Sequence, residues 1–119
     1  MDDKKNITTA GDKFFDQMKK AGIADDNFFK DIAKMFLEEG KESLNKLRNA
    51  IETKNKKNCT LFAHKLKSSF LMFDMLEAFQ LANEIEMIED DNFDNRIALI
   101  DKLEKNCSEI FELIRIKYD

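Results

Sequence analysis

The chain has no proline, no tryptophan and only three glycines in 119 residues. Without proline, no backbone amide is missing and long helices meet few obstacles. Without glycine-rich stretches, there is no phosphate-cradling loop and hence no nucleotide site of the familiar kind. Cysteine is nearly absent too. Cys59 and Cys107 are too few for a disulfide framework, and both fall on apolar stripes, so buried free thiols are expected. One histidine and two inward cysteines offer no ligand spacing for a metal, and none is expected. No run of about 18 apolar residues exists to span a membrane, and Met1-Asp2-Asp3-Lys4-Lys5 is no signal peptide. A cytoplasmic location follows as the expectation. Neither sign of charge dominates: 20 basic and 24 acidic residues are interspersed and leave a net charge of −4, which argues against nucleic acid as a partner. The basic run Lys54-Asn55-Lys56-Lys57 reads as a solvated helix junction.

What remains is a sequence rich in helix formers, with 43% hydrophobic and 37% charged residues, a mix suited to one compact core with a solvated face. Eleven phenylalanines are available to fill that core in place of leucine. Five helical stretches can be read. The first spans about Gly11 to Ala21, with Phe14, Phe15 and Met18 on its apolar face and Gly22 as its stop. The second opens at Asp25 or Asp26, both good N-caps, and runs to about Thr53. Its inward positions are Phe29, Ile32, Ala33, Phe36, Leu44, Leu47 and Ile51. Gly40 completes that spacing, where the absence of a side chain permits close helix approach. The third ends near Phe73. Asp74 and Glu77 have the residues of a capping box, expected to break the chain sharply between two helices.

The fourth stretch runs from Met75 to about Glu89, with Leu76, Phe79, Ala82, Ile85 (or Leu81) and Ile88 inward. Asp90-Asp91-Asn92 makes a turn. The fifth runs from about Asp94 to Lys117 on the stripe Ile97, Ile100, Leu103, Cys107, Ile110, Phe111 and Ile114. No period-two segment competes. Short connections between long helices imply antiparallel neighbours. The expected fold is all-α: an antiparallel up-and-down four-helix bundle with a short additional N-terminal helix, forming one domain over residues 1–119.

The single histidine, His64, lies on the third stretch. With Leu66 at zero and about 100° per residue, Cys59, Phe62, Ala63, Ser69, Phe70 and Phe73 fall within about 60° and form the buried stripe. His64 falls at about 160°, nearly opposite. An imidazole facing water offers a nucleophilic nitrogen to an incoming reagent. Lys67, three residues on, shares its surface, where an ammonium would stabilise a phosphoryl group on the ring. Ser68 is a small residue beside the ring, leaving room for a partner. Leu61 and Leu71 are apolar residues on this outward face, and with Lys65 they outline a docking surface.

The segment Ala63-His64-Lys65-Leu66-Lys67-Ser68-Ser69 resembles the signature of histidine-containing phosphotransfer (HPt) domains, whose core is Ala-His-x-Leu-Lys-Gly-Ser. The resemblance extends from about Asp25 to Ile114. It implies a phosphocarrier in a two-component phosphorelay, not an enzyme with its own nucleotide site. His64 would accept a phosphoryl group from a receiver-domain aspartate and pass it to another receiver, and Lys67 would contact that group. The family often places a Glu or Gln on the next helix, bonded to the other imidazole nitrogen, and Glu86 stands at the matching spacing. The implied partners are receiver domains of response regulators or hybrid histidine kinases. They would bring the Mg²⁺, and this chain would need no cofactor and would act as a monomer. The sequence departs from the pattern at Ser68 and at Asp74, where relatives commonly have glycine. Two other readings are a bundle that docks partners without transfer, and the phosphorylatable fragment of a larger histidine kinase.

Overall fold

The computed structural model describes Lys20, Gly22 and residues 26–118. All of the expected first helix except Lys20, including Phe14, Phe15 and Met18, lies outside the described residues. Among the described residues there are four helices and no strand: α1 Asp26–Glu52, α2 Lys56–Met72, α3 Leu76–Met87 and α4 Phe93–Tyr118. Each packs chiefly against two others, α1 on α2, α2 on α3, α3 on α4 and α4 on α1, which closes a four-helix ring around one core.

Phenylalanine does much of the filling. The Phe36 ring stacks on Phe73 at 3.9 Å between centroids and meets Phe111 edge-on at 5.5 Å, two favourable aromatic arrangements. Gly40 sits where α1 comes closest to this group: a Cβ there would lie 2.9 Å from Cζ of Phe111. The glycine's helix-propensity cost of about 1 kcal/mol is thus set against a close approach that a larger residue would meet only by displacing the Phe111 ring. Cys59 and Cys107 are buried and free. Burial raises both thiols above their ordinary range, Cys107 to about 12, so neither is a ready nucleophile.

The turns around α2 follow one design. At the end of α1, Lys54 takes a left-handed conformation with φ 57°. The Asn55 amide then donates to the Ala50 carbonyl at 2.8 Å and the Lys54 amide to Ile51 at 3.1 Å. At the end of α2, Asp74 does the same, also with φ 57°. Met75 donates to Phe70 at 2.9 Å and Asp74 to Leu71 at 3.2 Å. Both are Schellman closures, which satisfy the last carbonyls of a helix by placing one residue in the left-handed region. Asn55 also caps α2, accepting from the Asn58 amide at 3.1 Å.

These turns correct two expectations. Asp74 does not cap α3 through its side chain. The N-cap is Met75, with no side-chain cap bond, because Asp74 is committed one residue earlier to the left-handed position that ends α2. With the register of α3 fixed this way, Met75, Ala78, Ala82 and Ile85 are buried, while Leu76, expected inward, is exposed.

On α4, Ile97 is exposed and Arg96 takes the inward place at 1% exposure. The α3–α4 turn leaves carbonyls needing donors, and the guanidinium supplies them. Nη2 donates to Ile88 at 3.0 Å and Nη1 to Asn92 at 3.2 Å, while the group lies 4.5 Å from the centroid of the Phe93 ring. Asn92 caps α4 by accepting from the Asn95 amide at 3.1 Å.

Candidate functional site

Helix α2 buries Cys59, Ala63, Leu66 and Phe70. Phe62 and Ser69, at the margins of the expected stripe, are half-buried. With that face fixed inward, His64 must look out, and its side chain is 67% exposed. Ser68 and Lys65 are exposed beside it. Leu61 and Leu71 are 50% and 56% exposed, one turn before and two turns after His64 on the same surface.

The ring is oriented although it is exposed. Its Nδ1 lies 3.0 Å from Oε2 of Glu86 on α3. The other oxygen, Oε1, accepts from Nζ of Lys67 at 2.9 Å. Lys67 also donates to Oδ1 of Asn83 at 2.8 Å and lies 5.3 Å from the centroid of the Phe79 ring. Phe79, Asn83 and Glu86 follow one another at four and three residues, one face of α3. That face meets α2 and holds two of its side chains. Lys67 and Glu86 are less than one-fifth exposed, so the pair is shielded while the imidazole is open.

The electrostatics follow from these contacts. The hydrogen bond from Lys67 and, less strongly, the one from His64 hold the Glu86 carboxyl below its ordinary 4.5, against an opposing effect of burial. A carboxylate only accepts hydrogen bonds, so the His64 nitrogen facing it carries the hydrogen. That selects the tautomer with Nδ1–H and leaves the lone pair on Nε2. The arrangement offers one nucleophilic nitrogen, open to solvent, with an ammonium one turn along the helix. Among the described residues, no group of three His, Cys, Asp or Glu side chains is placed to hold a metal ion, and no helix is long and apolar enough to cross a membrane.

The structure brings together His64, Lys67 and Glu86, and surrounds them with Leu61, Lys65, Ser68 and Leu71. The sequence reading missed Asn83. The available signal was its position three residues before Glu86, on the same face of α3. It also missed Met87, an exposed apolar residue next to Glu86. A family model described as Hpt domain matches residues 31–112 of this chain, a span that includes the whole constellation. No curated protein and no solved structure gives a significant match.

Proposed function

The chain belongs to the Hpt domain family, and from that membership we propose that it is a phosphocarrier whose acceptor atom is Nε2 of His64. The observation that carries this reading is the exposed imidazole, fixed through Nδ1 by Glu86, with Lys67 beside it on the same carboxylate. The Nε2 lone pair attacks the phosphorus of an aspartyl phosphate on a receiver domain. The N–P bond forms, the P–O bond to the aspartate breaks, and the carboxylate leaves with its electron pair. Positive charge left on the ring is balanced by Glu86. Negative charge on the phosphoryl oxygens is met by Lys67, which exchanges its present partners for them.

The receiver brings the acyl phosphate and its Mg²⁺. Leu61, Lys65, Ser68 and Leu71 form the surface on which it docks. The helices run up and down with antiparallel neighbours, in keeping with the short connections 53–55, 73–75 and 88–92, in a single monomeric unit that acts in the cytoplasm.

Incubation with a phosphorylated receiver is expected to place acid-labile, base-stable label on this chain, and His64→Gln to abolish it. Label retained in that variant refutes the assignment. Unchanged pathway output from the same variant in cells would favour an adaptor that only docks partners.

A further inference from the structure

We propose that Glu86 keeps a proton in its contact with His64 Nδ1 after the ring is phosphorylated, so that the carrier form is a phosphoimidazolium poised to give its group away. The inference rests on His64 as the phosphoacceptor and concerns what the neighbouring carboxylate then does.

Once Nε2 is bonded to phosphorus, the ring either keeps its Nδ1 hydrogen and is cationic or loses it and is neutral. In the second case a bare lone pair would face Oε2 at the separation of 3.0 Å, two acceptors with no hydrogen between them. Glu86 has no donor to offer. An amide in its place could turn its N–H toward the ring, which a carboxylate cannot do.

The other charged groups point the same way. On α2, Lys67 and Lys65 are the nearby cations. On α3, Glu86 is the one acid bonded to the ring, and its neighbour Asn83 is neutral. Among the described residues, α1 supplies no ion pair to His64. As Lys67 turns from Glu86 Oε1 to the phosphoryl oxygens, the carboxylate loses the partner that most lowers its basicity and holds the Nδ1 proton more firmly.

The consequence is chemical. In the outgoing step, a carboxylate oxygen of the acceptor, or water, attacks phosphorus and the N–P bond breaks with its electron pair returning to Nε2. With Nδ1–H retained, the leaving group is neutral imidazole and no proton has to arrive. With Nδ1 bare, the leaving group is an imidazolate, far poorer.

The test uses the full chain labelled on His64 with phosphoramidate, which needs no receiver, and His64→Gln as the blank that locates the label. Loss of label is followed from pH 6 to pH 9 in the wild type and in Glu86→Gln, after circular dichroism shows both folded with the same helical content. The wild type is expected to lose label at a nearly constant rate up to pH 8, and the variant to become several-fold longer-lived as pH rises through the same range. A ¹⁵N spectrum of the labelled wild type at pH 8 should show Nδ1 protonated. Superimposable decay profiles, or an unprotonated Nδ1, would overturn the proposal. Failure of the labelled protein to pass its group to any receiver would overturn the relay reading, separately from the decay result.

Discussion

Lys67 reaches past its own helix to two groups on α3, Asn83 and Glu86, and this fixes its ammonium beside the ring before any phosphoryl group arrives. Replacing it by alanine removes a charged hydrogen bond from the transfer transition state, which should raise the barrier by about 1–3 kcal/mol. Transfer rates from a phosphorylated receiver check this, and an unchanged rate would take Lys67 out of the mechanism. His64 and Lys67 were legible from the sequence because both lie on one helix, where a spacing of three fixes their relation. Glu86 lies on a different helix, and only the resemblance to HPt domains pointed to it. Asn83 shares the Glu86 face of α3 by its spacing of three, but its bond to Lys67 depends on the register between α2 and α3, which spacing along one helix does not give. Arg96 was invisible for a related reason. Apolar patterning favours Ile97 as the inward residue, and nothing local tells that the carbonyls of Ile88 and Asn92 need a guanidinium.

At the level of helices and turns, periodicity located all four described elements to within a residue or two. It located the turns less well, because a side-chain cap and a left-handed closure draw on the same residue types. Asp74 is such a case. Lys54 is the less comfortable of the two left-handed residues, since Asp tolerates that region better than Lys does. Lys54→Gly should relieve about 1–2 kcal/mol of backbone strain. The freer unfolded chain takes back part of that, leaving a net gain of about 0.5–1 kcal/mol. Denaturant unfolding measures it, and a loss of stability in the variant would contradict the backbone argument. Gly40 was legible as a site of close approach, though its partner, Phe111 on α4, was not.

For the molecule as a whole, acid should act through the carboxylates held below their ordinary value. Glu86 is bonded to Lys67 and His64, and Glu42 and Glu112 to Lys46 and Arg115. Each binds its proton less readily folded than unfolded, so its contribution is complete above the ordinary carboxylate value of 4.5 and is lost as pH falls below it. The melting temperature should therefore drop between about pH 5 and pH 3, and Glu86→Gln should make that drop shallower. Equal slopes in the two proteins would remove Glu86 from the acid response.

Every side-chain bond of His64 and Lys67 is made within the packed pair α2 and α3, and α1 and α4 donate none. Exchanges on the solvent sides of those two long helices change stability by about 0.5 kcal/mol or less. The carrier chemistry is therefore insulated from changes on those outer faces, and what must stay fixed for it is the register between α2 and α3.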